Sequence, residues 1–315
     1  MNKPIVTVLT ITYGHESYIS ETIKGVLNQE VSFPIEMIIA DDCSHDNTEG
    51  VVNDYIENHP NGGIIRYFKH KQNKGVNSNF DWASKLCRGK YVAVCEGDDY
   101  WTDPLKLQSQ VDFLDSHEGY SMCFHNVVIF NDTQQKFHED NITRTVSDTT
   151  GLKDLARGNY IHTPSVLFRS DIFPLPNWFE QTPIGDFPLW CLSALNGKIY
   201  KMPNKMAVYR VHDKGAMSGF KKANLSDQII HNEGMIPFYR AIYSQSGELG
   251  FKHNEVHLLD VNRSNYIKLG EYSKARKVAI LILKNQLKFL SIKQITASLL
   301  TLLVPFYLKR RYANK

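Results

Sequence analysis

The sequence contains no continuous run of about 18 apolar residues, so a simple membrane-crossing helix is not expected. The nearest candidate, residues 295–308, is shorter and is interrupted by Pro305. The first fourteen residues lack the apolar core of a secretory signal, because polar and turn residues follow within a few positions. Export by that route is therefore not expected. Cysteine is scarce, and Cys43, Cys87, Cys95, Cys123 and Cys191 are too widely spaced for a zinc knuckle or a redox pair. Cys95 and Cys123 lie in apolar, strand-like runs, so the five read as small buried residues in a reducing cytoplasm. No internal repeat or low-complexity tract is visible. What is present is enough apolar material, 42% of 315 residues, to bury one large core or a core plus an appendage.

Charge is distributed unevenly. The net charge is only +3, but from Lys268 to Lys315 eleven Lys/Arg stand against the single acidic Glu271. That end of the chain carries +10 and the remainder −7. Such asymmetry points the basic end towards something anionic, a phospholipid surface or a nucleic acid.

Through the first third, short β-branched runs alternate with helix-like segments: 5–12, 16–28, 36–40, 48–58, 64–68, 77–86 and 91–95. That alternation predicts βαβ units, a mostly parallel sheet and helices on both faces. In such sheets ligands bind beyond the carboxyl ends of the strands. After Trp101 the alternation lapses into a helix over 105–116, a strand over 120–130 and a polar stretch to about Thr150. Further elements are expected at 165–169, 187–195 and 206–211. From Leu225 the pattern is helical only, with helices at 226–244, 255–269, 273–289 and 292–303. A boundary near Lys222 divides the chain into residues 1–222 and a helical extension, 223–315.

Two polar segments follow early strands: Thr12-Tyr13-Gly14-His15-Glu16, and Asp41-Asp42-Cys43-Ser44-His45-Asp46-Asn47-Thr48. Both lie where a nucleotide would sit. A carboxylate there accepts from a base N–H or a ribose hydroxyl, and the Tyr13 ring packs on a base. Asp46 and Ser44 are the natural caps of the following helix, which leaves Asp42 as the functional candidate. The densest feature is Cys95-Glu96-Gly97-Asp98-Asp99-Tyr100-Trp101, three carboxylates within four residues directly after an apolar strand. Like charges so close repel unless a cation or donor array neutralises them. Hard oxygen ligands suit Mg2+ or Mn2+ held together with substrate phosphates. An acidic surface turn is the bland alternative.

The order Thr12-Tyr13, Asp41-Asp42-x-Ser44-x-Asp46-Asn47-Thr48, Asn73-Lys74-Gly75, Glu96-Gly97-Asp98-Asp99, Ile184-Gly185-Asp186 resembles the family-2 glycosyltransferases of the GT-A fold, a Rossmann-like α/β architecture. The likeness covers about residues 4–215. It implies an inverting, metal-dependent transfer of a sugar from a nucleotide-diphosphate sugar, with a UDP-sugar as the expected donor, to a hydroxyl of a glycan or polyprenyl-linked acceptor in surface-polysaccharide assembly. By position it gives nucleotide and donor contacts to Thr12, Tyr13, Glu16, Asp42, Asn73, Glu96, Gly97 and Asp98. It places Mn2+ or Mg2+ on Asp98 and Asp99, and the catalytic base at Asp186. Related enzymes close a loop over the donor diphosphate in the region of Tyr209 to Ser218. There Arg210 and Lys214 would offer charge to the phosphates, and His212 would reach the metal. Glu96 replaces the usual aspartate and Gly14 the usual asparagine. The Gln-x-x-Arg-Trp motif of processive synthases is absent, so one sugar per encounter is expected.

At the basic end Val278, Leu281, Ile282, Leu287, Leu290, Ile295, Leu299, Leu302 and Leu303 alternate with Lys274, Lys277, Lys284, Lys288 and Lys293, ending in Lys309-Arg310-Arg311. This stripe would lie on an anionic leaflet, giving a cytoplasmic protein peripheral to the inner face of the membrane. The alternative is packing on the catalytic domain or on a second subunit, as in a homodimer formed through the C-terminal helices. Nucleic acid is excluded as partner, because exposed aromatic platforms are not interleaved with the charge. Two competing functions remain. A nucleotidyltransferase would want a Gly-rich phosphate loop after the first strand, which residues 12–18 do not supply. A catalytically silent glycan-binding scaffold would not need Asp98, Asp99 and Asp186.

Overall fold

The computed structural model describes residues 3–213, 215, 224–286 and 292–303. It comprises two compact units, Met1–Glu180 with Ile184–Gly215, and Gln181–Pro183 with Ala216–Lys315.

In the first unit, strand β1 (Val6–Thr12) is buried along its whole length, as a β-branched run flanked on both sides must be. It pairs in parallel with β2 (Ile35–Asp41), which pairs in parallel with β3 (Ile65–Lys69), and on its other edge with β4 (Tyr91–Val94). Helix α1 (Ile19–Leu27) buries Ile19, Thr22, Ile23, Val26 and Leu27, the i, i+3, i+4, i+7 stripe of an amphipathic helix. With α2 (Thr48–Asn58) and α4 (Lys106–Ser116) it covers the sheet face carrying Val6, Val8, Met37, Ile39 and Ala93. Strand residues alternate, so Leu9 and Ile11 face the opposite side, where α3 (Val76–Ser84) packs against β1 and β2.

Beyond β4 the sheet is mixed, which corrects the expectation of a mostly parallel one. β9 (Leu167–Arg169) runs antiparallel between β4 and β6 (Tyr120–Asn131). β7 (Lys136–Glu139), inside the stretch read as merely polar, folds back on β6 as a hairpin. β10 (Lys198–Val211) pairs in parallel with β6 and antiparallel with β5 (Tyr100–Trp101) and β8 (Thr149–Thr150). Parallel pairing needs a crossover of a dozen or more residues; after Trp101 the chain makes one such crossover, from β6 to β10, and its other pairings are antiparallel. β10 is also twice the expected length, because register shifts between Met202 and Val208 let it bend along β6.

The closeness of α1 to β5 depends on one glycine. A Cβ on Gly25 would stand 2.9 Å from both the backbone N and the backbone O of Trp101. Trp101 in turn donates its indole N–H to Pro164 O at 2.8 Å and lies under the buried Lys106 ammonium, 4.2 Å from its ring centroid.

The second unit is helical: α7 (Leu225–Ser246), α8 (Leu249–Lys268), α9 (Tyr272–Gln286) and α10 (Ile292–Leu303). Asn224 caps α7 by accepting from Ser226 N and Asp227 N, while Asp227 accepts from Asn224 N, a reciprocal box. Glu255 is fully buried between Arg240 (2.9 Å) and Lys252 (2.7 Å). On α9 the inner stripe is Ala275, Ala279 and Ile282, all fully buried, with Val278 packed against Ile229, Tyr266 and Ile267. That part of the apolar stripe is therefore committed to the unit's own core. Leu287, Leu290, Lys288 and Lys309-Arg310-Arg311 lie outside the described residues. No described helix is long and apolar enough to cross a membrane.

Candidate active site

The loops after β1 and β2 are tied to each other. Gly14 N donates to Ser44 Oγ (2.8 Å), His15 N to Thr48 Oγ1 (3.1 Å) and Glu16 N to Asp46 Oδ2 (3.0 Å), while Asn47 N donates back to Glu16 (3.0 Å). Gly14 holds φ +70° here, a conformation glycine adopts without strain. Asp46 also accepts from Thr48 N at 3.1 Å and so steadies the start of α2. Thr12 is buried, its carbonyl accepting from Asp42 N, whereas the Tyr13 ring stands 48% exposed beside His45.

Asp42 acts on a third loop. Its two carboxylate oxygens accept from Lys74 N (2.7 Å) and Gly75 N (2.8 Å), and Asn73 donates to its carbonyl and accepts from Gly75 N. The segment Asn73-Lys74-Gly75 is thus wrapped round Asp42, and Gly75 at φ +88° opens α3.

The acidic loop after β4 brings ligand oxygens of Glu96, Asp98 and Asp99 within 4.8 Å of one another. It is pinned from three sides. Thr22 of α1 donates to Asp99 O (2.7 Å), Gly97 N donates to Ile11 O (3.0 Å), and Arg210 of β10 donates its backbone N–H to Asp99 Oδ1 (2.8 Å) and its Nε to Asp98 O (2.8 Å). A Cβ on Gly97 would fall 2.6 Å from Thr12 Oγ1 and 2.7 Å from His15 Nδ1, so only glycine lets this loop close on β1. Asp99 is 1% exposed, and its Oδ2 has no hydrogen-bond partner among the described residues.

Electrostatics separates the three. Burial, with the charges of Asp98 and Asp186, pushes the Glu96 carboxyl up to about 8. Burial and its two acidic neighbours likewise hold Asp99 well above the usual carboxylate range. For Asp98 burial opposes ionisation, but the hydrogen bond from His212 and the imidazole of His15 outweigh it, and its pKa is lowered. His212 Nε2 lies 3.0 Å and His15 Nε2 3.9 Å from Asp98 Oδ2. The buried, unsatisfied Asp99 oxygen and two carboxyls that resist losing their protons are what a cation-binding set looks like without its cation.

Arg210 departs from expectation. Its guanidinium is packed over Tyr18, Tyr100 and Phe130 at 4.8–5.4 Å and paired with Glu21 and Asp132. With its donors so engaged it buttresses the acidic loop. Lys214 lies outside the described residues.

Asp186 opens helix α6 (Asp186–Ala194). Asn159 Nδ2 donates to its Oδ2 at 2.9 Å. Burial raises its pKa, while hydrogen bonds from Phe187 N and Asn159 partly offset the rise. Its charge is felt at Glu96 and at the phenol of Tyr209, which puts Asp186 within electrostatic reach of the acidic loop but outside its three-carboxylate cluster. The residue sequence reasoning missed most clearly is Asn159, a loop amide with no motif around it. His15 stood inside a motif but was assigned nothing, and Tyr209 opened the segment expected over the donor diphosphate but was given no role.

The family model for glycosyl transferase family 2 matches residues 7–173, more than half of the chain, and the chain belongs to that family. An uncharacterised protein of Mycobacterium tuberculosis is 38% identical over 213 residues, 66% of this chain and 59% of that one. The chain therefore matches less than two thirds of that relative's length. The minor teichoic acid biosynthesis protein GgaB of Bacillus subtilis is 26% identical over 253 residues, 74% of this chain and 27% of its own. Among solved structures, Staphylococcus aureus TarS, residues 1–349, in complex with UDP-GlcNAc superposes with a TM-score of 0.65 at 17% identity, covering 98% of this chain and 91% of that one. The architecture is the GT-A fold with a C-terminal helical extension.

Proposed function

We propose that the protein transfers a sugar from a nucleoside-diphosphate donor to a hydroxyl of a glycan or lipid-linked acceptor, with inversion at the anomeric carbon, in assembly of a surface polysaccharide. The observation that carries this reading is Asp186, a single half-buried carboxylate oriented by Asn159 and lying outside the cluster of three others. One displacement needs those two functions at two places: a base for the incoming hydroxyl and a positive centre for the departing diphosphate.

Asp186 accepts the proton of the acceptor hydroxyl at its carboxylate as that oxygen attacks. Glu96, Asp98 and Asp99, with His212 beside them, are the residues that would hold a divalent cation, which when bound neutralises charge developing on the leaving diphosphate. The tied loops carrying Tyr13 and His45 offer a wall for the base, and the Asp42-centred loop borders it. UDP-GlcNAc in TarS supports a UDP-sugar donor, and GgaB supports a cell-wall polymer as destination. The basic end of the chain supports an acceptor presented at an anionic membrane surface.

A thermal-shift screen of UDP, GDP and dTDP with and without Mn2+ tests the donor class, because a ligand that binds the folded state raises its melting temperature. Stabilisation by one nucleotide that depends on the metal is expected. In the Asp186→Asn variant that stabilisation persists while transfer falls by roughly 100-fold or more, the contribution of a general base. Loss of nucleotide binding together with transfer, or a product of retained anomeric configuration by NMR, would overturn the assignment of Asp186.

A further inference from the structure

Tyr209 stands one residue before the Arg210 backbone that binds Asp99, near the end of β10. Its ring packs on His162, centroids 4.7 Å apart, and His162 is itself buried with Nε2 3.1 Å from Asp140 Oδ2. The ring is thus fixed from behind. Its hydroxyl, however, makes no hydrogen bond to any described residue, although the charges of Asp99, Glu96, Asp98 and Asp186 all reach it and, with burial, raise its pKa. A largely buried polar group ordinarily finds a hydrogen-bond partner. This phenol, whose ring also packs against the sheet core, has none among the described residues.

The position restricts what the phenol can meet. Glu96, Asp98 and Asp99 mark the diphosphate side and Asp186 the acceptor side, and only the transferred sugar lies between a leaving diphosphate and an attacking hydroxyl. We infer that the Tyr209 hydroxyl is a donor-sugar contact: it donates a hydrogen bond to an oxygen of the transferred sugar ring and contributes to recognition of the sugar rather than of the nucleotide. The nearby donors His212 and Asn159 are already engaged with Asp98 and Asp186, so a phenol O–H supplies a further neutral donor to a sugar oxygen's lone pairs. His162 acts through the ring, as a positioning residue.

The inference rests on the proposed donor chemistry, and its test separates the two. Dissociation constants are measured by titration calorimetry with Mn2+ for UDP and UDP-GlcNAc, and for GDP and GDP-mannose, on the wild type and on Tyr209→Phe. That substitution removes a hydroxyl with no protein partner, so the fold is retained. For whichever pair the wild type binds, the variant should bind the free nucleoside diphosphate unchanged and bind the nucleotide sugar about five- to tenfold more weakly, the value of one hydrogen bond. Equal weakening of both ligands indicates a structural role and overturns the inference, as does an unchanged ratio between them. A wild type that binds none of the four overturns the donor chemistry itself, and the sugar contact falls with it.

Discussion

Single side chains decide the chemistry of this site, and one of the most consequential is an amide. Asn159 donates to Asp186 Oδ2 and favours the ionised form against the burial that raises its pKa. As the proposed base, Asp186 must be ionised to work, so the transfer rate is expected to rise with pH through its pKa. Asn159→Ala should push the acidic limb of the pH–rate profile to higher pH, with little change in nucleotide affinity; a profile that stays where it was would remove Asn159 from the mechanism. At Gly97 the prediction is steric. Gly97→Ala drives a methyl into Thr12 Oγ1 and His15 Nδ1, and a loss of about 1–3 kcal/mol in unfolding free energy should accompany weaker metal-dependent nucleotide binding. The carboxylates themselves were legible, because three acidic residues after an apolar run have few structural uses. The partners of those carboxylates were not. Nothing about Asn159 or Tyr209 in one dimension reports that a loop and a strand separated by about fifty residues meet at Asp186 and Glu96.

At the scale of elements, the early strands and helices could be read to within a few residues, since a β-branched run buried on both faces and a helix with one apolar stripe each impose a period. The later ones could not. β7 is four residues of mixed polarity on a sheet edge, mostly exposed, and β10 alternates exposed and buried stretches around its register shifts. Packing of α4 carries its own test. Lys106 is fully buried over the Trp101 ring and bonded to Gln110 at 2.7 Å, and burial lowers its pKa to about 7. An unfolded lysine still holds its proton there, so between pH 7 and about 10 the unfolded chain binds more protons and stability increases with pH. The variant Lys106→Met should melt at a temperature that rises less over that interval, and should be more stable than the wild type near pH 7. An identical pH dependence in the two proteins would show that Lys106 keeps its charge when folded.

For the molecule as a whole, the helical unit is held by buried polar groups as much as by apolar ones. Glu255 is shared by Arg240 and Lys252, and Asn232 donates to Asn262 at 2.8 Å in the interior. Glu255→Ala removes the buried carboxylate that Arg240 and Lys252 share and should cost on the order of 3 kcal/mol, visible as a lowered urea midpoint. A midpoint within experimental error of the wild type would show that this shared carboxylate contributes little to the unit's stability. The periodicity of 273–289 announced a helix with one apolar face, and Tyr272–Gln286 is helical within the described residues, yet the pattern could not name the surface opposite. Hydrophobic pattern reports that a stripe must be covered and is silent about by what.

The reciprocal lacing of residues 14–16 to residues 44–48 has a consequence for how such a protein diversifies. Backbone amides from one loop are clasped by side chains of the other and the clasp is returned, so neither loop can gain or lose a residue without unfastening both. On the proposed donor chemistry, variation in nucleobase preference would then be written in outward side chains such as Tyr13 and His45, exchanged on a chassis whose length is frozen.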